Sequence, residues 1–317
     1  MATFYYGGQA VIEGVLMRGR TKAAVAVRTP DGRIRVHEEP LTAPIYRSRW
    51  AQWPFLRGLT ALWDALILGT KALIWSADVA LEEEARAQGK ESEGFSGIMA
   101  GGTVLFSLAV GIGLFFLLPS LVTKLLDTYW GDSPWVSSLV EGGVRLGLFL
   151  LYLWAIGLAA DVRRVFAYHG AEHKTINAFE AGAALVPEQV AQYSRFHVRC
   201  GTSFLLFVLL VSIIIFAPFH FQNIFFRLLS RILLIPIVAM ISYELIRVSA
   251  ARPEHPLLRW LIVPGLLLQR LTTREPDLDM LEVAIAALVP VLVADGVPVE
   301  RTTAVYSTSA TPVGAGP

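Results

Sequence analysis

The 317-residue chain reads as a mainly α-helical, polytopic membrane protein with about four transmembrane helices, an interfacial amphipathic helix and a small N-terminal cytosolic β element. Two observations carry this reading. The composition is 54% hydrophobic and only 17% charged, with a mean hydropathy of +0.54, a balance that suits a lipid-immersed chain better than a soluble one. Long uncharged runs also recur through the middle of the chain, and a hydrocarbon core roughly 30 Å thick needs only about 20 residues of helix to cross it. The formal net charge of +1 leaves no global field to attract nucleic acid, which excludes that class of partner. A single cysteine, Cys200, excludes an internal disulfide and suits a reducing compartment. The first residues lack the basic start and apolar run of a cleaved signal, so the first span is expected to do its own targeting.

The N-terminal region, 1–48, is expected to hold a cytosolic β-hairpin. "KAAVAVRTPDGRIRVHEEP" alternates apolar and polar residues on both sides of Pro30-Asp31-Gly32, a turn in which proline presets φ and glycine supplies the left-handed position. Residues 49–95 form the next unit. Over 54–84 the charges Arg57, Asp64, Lys71 and Asp78 recur every seven residues, almost two helical turns, and mark one polar stripe on an otherwise apolar cylinder. Such a helix is expected to lie in the interface or pack on the bundle, followed by a solvated acidic linker.

The membrane domain is expected over 96–250. Residues 97–122 and 201–219 carry no charge, and 142–161 holds one early arginine, Arg145, expected to snorkel to the interface. Residues 228–250 are apolar only between Arg231 and Glu244, with Pro236 inside, so Glu244 is expected to face a partner, either a metal or Arg247, rather than lipid. The connection between spans one and two has no positive charge from Lys124 to Arg145. That between spans two and three carries Arg163, Arg164, Lys174, Arg195 and Arg199. By the positive-inside rule the second connection, 161–200, is cytosolic, and so are both termini; Arg227 and Arg231 dissent on the outer side. Interfacial and cytosolic helices are expected over 251–294 and a disordered tail over 295–317. No internal repeat is visible.

"YHGAEHKTINAFE", 168–180, carries the strongest chemical signal. Side chains four apart share a helix face with Cβ atoms about 5–6 Å apart, so His169 and His173 can hold one metal ion, with Glu172 beside them. HxxEH is the spacing of inverted zincins, in which the glutamate polarises the attacking water. The plainer reading is a polar pair at a helix end that meets headgroups or caps carbonyls. "FHVRCGTSF" places His197 and Cys200 just before span three, on the same side as the histidine pair, so His197, Cys200 and Glu244 are the candidates for a third ligand. "GGQAVIEGVLMRG" reads as a glycine-punctuated hairpin around Glu13, and "TTREPDLDMLEVAIAAL" as a helix start with Pro276 and the acids Asp277, Asp279 and Glu282 near its positive end.

Four motifs in this order, "GGQAVIEGVLMRG", "YHGAEHKTINAFE", "RCGTSF" and "TTREPDLDMLEVAIAAL", resemble the YqhQ-like family of bacterial membrane proteins, whose members are regarded as metal-dependent enzymes of unknown function. The likeness runs from about residue 5 to 290. It implies a multi-pass protein of the bacterial plasma membrane with a metal site at "HGAEH", and it implies no substrate.

Three functions are then in contention. The first is a zinc-dependent (or other divalent metal) hydrolase at the cytosolic membrane face, with His169, His173 and one of His197, Cys200 and Glu244 as ligands, Glu172 as general base and a peptide or other amide as substrate. The second is a non-catalytic scaffold or partner-binding protein that uses the same polar residues as a structural network. The third is a metal or ion transporter, weakened because three of the four expected spans carry no ionisable residue at mid-depth.

Overall fold

The structure, a computed structural model, describes residues 4–43, 48, 53–89, 97–130, 133–219, 221, 223–251 and 255–298. Most of the expected tail and part of the expected acidic linker therefore lie outside the described residues.

Four strands open the chain: β1 (Gly7–Val11), β2 (Gly14–Arg18), β3 (Lys22–Arg28) and β4 (Ile34–Pro40), joined as an antiparallel meander in sequence order. The expected hairpin is β3–β4, with Gly32 at φ 84° in its turn, and the glycine-punctuated motif forms a second hairpin, β1–β2. β3 does not alternate as expected. Its Ala23–Val27 run is buried throughout, because the sheet is covered on both faces and both sets of side chains need apolar neighbours. Val15, Met17, Ala24 and Ala26 face a core shared with the later helices, while Leu16, Ala23, Val25 and Val27 face Leu68, Ala72 and Val79.

That second cover is the helix expected to lie in the interface. It runs as α1 (Arg57–Trp63), a π-helical turn (Asp64–Leu68) and α2 (Gly69–Ala87). Its first part packs on the membrane bundle, where a Cβ on Gly58 would stand 2.9 Å from the Cα of Met240, and its second part packs on the sheet. The polar stripe is thus partly satisfied by protein: Arg57 pairs with Glu244 and Lys71 with Glu39.

Among the described residues, four helices are long and apolar enough to cross a membrane: Gly101–Leu126, Pro134–Ile156, Gly201–Phe219 and Phe225–Ser249. The first comprises most of α3 (Gly97–Ile112), a π-helical turn (Gly113–Leu117) and most of α4 (Leu118–Trp130); the second is α5 (Pro134–Ile156). α6 (Ala160–Glu180) and the short α7 (Pro187–Val190) intervene before the third, α8 (Gly201–Phe216), and the fourth, α9 (Ile224–Ala251). α10 (Pro256–Thr272) and α11 (Leu278–Ala294) follow, and α11 packs with α6 on the sheet. The Asp295 carboxylate accepts hydrogen bonds from the backbone N–H groups of Arg20 and Thr21, pinning the end of α11 to the β2–β3 turn.

Span two starts eight residues earlier than expected and so includes Glu141. Arg145 does not snorkel: it is buried and donates to Glu141 at 2.6 Å, to the Phe115 carbonyl at 2.9 Å and to Ser212 at 3.3 Å. Arg231 of span four reaches the same carboxylate at 3.3 Å and donates to the carbonyls of Phe216 and Phe219. The expectation that three of the four spans lack an ionisable residue at mid-depth fails at span two, because a carboxylate faced by three guanidiniums, Arg145, Arg231 and, at 3.8 Å, Arg227, is a compensated arrangement away from water.

Candidate functional site

α6 is the element on which the site is built. Its Tyr168, Ala171 and Ile176 join the core beneath the sheet, which leaves the neighbouring face, with His169 and His173, turned toward residues 191–200 and 272–276. Gly170 permits this arrangement. A Cβ there would stand 2.1 Å from the carbonyl oxygen of Arg274, so only glycine lets the extended segment after α10 lie against the helix. The crossing is held by the Arg274 N–H, which donates to the Phe166 carbonyl at 2.8 Å.

Both imidazoles are oriented by backbone. His169 Nδ1 lies 2.9 Å from the Thr272 carbonyl oxygen, and His173 Nδ1 lies 2.7 Å from that of Arg195. A carbonyl only accepts, so each Nδ1 carries the proton and each Nε2 keeps its lone pair for another partner. For His169 that partner is Cys200 Sγ, 3.2 Å from Nε2; the two rings stand 4.4 Å apart, centroid to centroid. His169, His173 and Cys200 each offer one ligand-type atom, and these three atoms lie within 4.8 Å of one another. Carbonyls behind the Nδ1 atoms are what fix tautomer and ring direction in metal-binding histidines.

The loop that brings Cys200 and the Arg195 carbonyl into place is held by side chains of α6 and α10. Lys174 donates to the carbonyls of Ala191 (2.7 Å) and Tyr193 (2.8 Å), and Asn177 to those of Ser194 (2.7 Å) and Phe196 (3.1 Å). Gln269 of α10 accepts from the His197 N–H at 2.9 Å and donates to the His197 carbonyl at 2.8 Å. Cys200 itself is the N-cap of α8 and lies 3.1 Å from the Thr202 hydroxyl.

The other expected residues lie around this group rather than in it. Glu172 is buried on the adjacent face of α6, where a backbone hydrogen bond from Gly8 of β1 reaches its carboxylate. Burial raises its pKa against the opposing pull of His169 and that N–H. A Cβ on Gly8 would stand 2.2 Å from the Leu16 carbonyl oxygen and 3.2 Å from Glu172 Cγ, so Gly8 makes room for both, while Gly7 faces open space. His197 is buried with its ring 5.7 Å from that of His173; its Nε2 lies 3.7 Å from Glu180 Oε2, beyond hydrogen-bond distance. Burial lowers its pKa, and nearby Arg199 adds to that shift. For Glu180, burial alone would raise the pKa, but His197 and Arg199 hold it below the ordinary carboxylate value.

Glu244 corrects the sequence reading. It accepts from Arg57 Nε at 2.6 Å, from a second nitrogen of the same guanidinium and from the Phe55 N–H at 3.0 Å. Its partner is thus an arginine 187 residues away, not a metal or Arg247. Glu13, at φ 51° in the β1–β2 turn, is likewise occupied, by Arg164 at 2.6 Å and by the Tyr168 hydroxyl. The contributions that sequence reasoning missed are the Thr272 and Arg195 carbonyls and the Gln269 amide. "TTREP" directly before an acidic helix start was the one local sign of an extended crossing segment.

Comparison with known proteins supports the placement of these elements in one family. Residues 53–294, which include α6, Cys200, α10 and α11, match the profile described as "Protein of unknown function (DUF1385)". The chain belongs to the DUF1385 family. It is 35% identical over 292 residues to "Uncharacterized protein YqhQ" of Bacillus subtilis (strain 168), an alignment that covers 88% of this chain and 90% of that protein. No solved structure matches.

Proposed function

We propose that this DUF1385 protein is a membrane-embedded, metal-dependent hydrolase whose site lies at the cytosolic face of the bacterial plasma membrane, with both termini in the cytosol. The orientation rests on the arginines and lysines that flank α6 and α10 and are absent between Lys124 and Arg145. The observation that carries the function is the three-atom group: two imidazoles with their Nδ1 protons committed to carbonyls and a cysteine sulfur, all within 4.8 Å. Two nitrogens and one sulfur suit Zn²⁺, whose catalytic sites use three protein ligands and keep a fourth position open. When bound, such an ion polarises a carbonyl and brings the pKa of a water down to about 7.

The chain supplies the rest. The Thr272 and Arg195 carbonyls hold the rings in register, and the side chains that clamp residues 191–197 keep the sulfur in place. Glu172, one residue before His173 on the adjacent face of α6, is the proton carrier in this reading. With the ion held by His169, His173 and Cys200, it would take the proton from the attacking water and return it to the leaving nitrogen as the C–N bond of a peptide or other amide breaks and the water oxygen joins the carbonyl carbon. The test is hydrolysis of a panel of peptides and acyl amides by the purified protein. Chelation abolishes turnover, Zn²⁺ restores it, and Glu172→Gln lowers it by about 10²–10⁴ with metal content unchanged. Turnover indifferent to chelation or to Glu172→Gln would overturn the reading.

A further inference from the structure

α10 packs against the first turn of α8. A Cβ on Gly265 would stand 2.6 Å from Ser203 Oγ, Gln269 donates to the same hydroxyl at 3.0 Å, and the Thr272 hydroxyl lies 3.4 Å from that of Thr202. Gly265, Gln269 and Thr272, spread over about 10 Å of α10, thus all meet Thr202 and Ser203 at the start of α8. Both ends of α10 are on one side of the membrane. Its last turn adjoins the start of span three, and only four residues, at most roughly 18 Å of extended chain, separate its start from the end of α9.

The outward face of α10 is apolar. Trp260, Val263 and Leu267, three and seven positions along one face, are 77%, 37% and 51% exposed, while Leu268, Gln269 and Thr272 on the opposite face are buried. An exposed tryptophan on such a face is suited to the headgroup boundary, and exposed Arg163, Arg247 and Arg270 on the same side complement anionic headgroups. The ligand group is at this depth too. Cys200 directly precedes span three, and Thr272, whose carbonyl holds His169, ends α10. Beside Cys200, Gly201 is exposed with nothing within 4 Å of a Cβ position, and Leu205, one turn further down the same face of α8, is 49% exposed.

We infer that the site takes its substrate from the adjoining leaflet: an amphiphile whose scissile carbonyl sits at headgroup depth and whose acyl chain lies along Leu205 of α8 beside the apolar face of α10. The inference rests on the hydrolase reading and narrows its substrate class from water-soluble peptides to acylated molecules resident in the bilayer.

Cys200, the one cysteine in the chain, reports the direction of access. Metal-depleted protein in nanodiscs of phosphatidylcholine and phosphatidylglycerol is treated with a long-chain alkyl maleimide that partitions into the bilayer, or with a sulfonated maleimide that stays in water. Each rate is normalised to that of the same reagent on the protein unfolded in detergent. The alkyl reagent is expected to react at least about tenfold faster, because chain burial concentrates it at the site. Leu205→Glu is expected to remove most of that advantage while metal content stays unchanged. Equal or faster reaction of the sulfonated reagent, or reaction of neither, would overturn the inference, since a leaflet-open site must admit a leaflet-borne reagent. Failure of the metal reading is seen separately, as bound Zn²⁺ that gives Cys200 no protection from either reagent.

Discussion

His169 Nδ1 and the carbonyl oxygen of Thr272 lie 2.9 Å apart although 103 residues separate them in the chain. This hydrogen bond makes Nε2 the free nitrogen of His169 and aims it at Cys200, so ring direction depends on where the segment after α10 crosses α6.

Gly170→Ala tests that dependence. The added methyl would stand 2.1 Å from the Arg274 carbonyl oxygen, a backbone atom that moves only with the whole crossing segment. The variant is expected to lose about 1–3 kcal/mol of stability by overpacking and about 10–100-fold in metal affinity by displacing the outer partner of His169. Thermal unfolding and a competitive chelator titration measure the two effects. Gly147→Ala, where a Cβ meets nothing within 4 Å, is the matched control and is expected to change neither.

Glu141→Gln tests the ionic tie inside the bundle. It removes the carboxylate faced by Arg145, Arg227 and Arg231 and leaves three guanidiniums buried among apolar helices. The expected loss is about 3–5 kcal/mol, as for other buried pairs broken on one side. Leu139→Ala, two residues away but exposed on the outside of the bundle, is expected to stay within about 0.5 kcal/mol of the parent. Unfolding in mixed micelles compares the two.

His197 gives stability a pH dependence. Its folded pKa lies below the ordinary histidine value of about 6.5, so over that interval the unfolded chain binds the proton more readily than the folded one. The contribution is fully present above about pH 6.5 and is lost as pH falls through the folded pKa. Melting temperature from pH 8 down to 5 is expected to fall more steeply for the parent than for His197→Asn, which cannot titrate. Parallel curves would refute this origin of the pH effect.

Much of this architecture was legible locally. The four spans follow from uncharged runs, the β3–β4 hairpin from Pro30-Asp31-Gly32, and the pairing of His169 with His173 from helical spacing; each needs only a short window of sequence. Cys200 was among three candidates for a third ligand, and nothing local could rank it above His197 or Glu244. That order depends on how the loop 191–199 is clamped by Lys174, Asn177 and Gln269, which are long-range contacts. The same limit explains Glu244, whose partner Arg57 lies 187 residues away, and β3, whose run of small apolar residues makes sense only once helices cover both faces of the sheet. The buried tie at Glu141 was missed because the start of span two depends on that carboxylate being neutralised by an arginine of span four.

The central claim is that His169, His173 and Cys200 form one cation site. Elemental analysis of the purified protein after dialysis, beside His173→Ala and Cys200→Ser variants that retain the parent's melting profile without metal, tests it most directly. The account predicts about one transition-metal ion per parent chain, as a three-ligand catalytic site would hold, and a small fraction of that in either variant. A parent that holds far less than one ion per chain even after Zn²⁺ loading, or a metal content untouched by both substitutions, would contradict it.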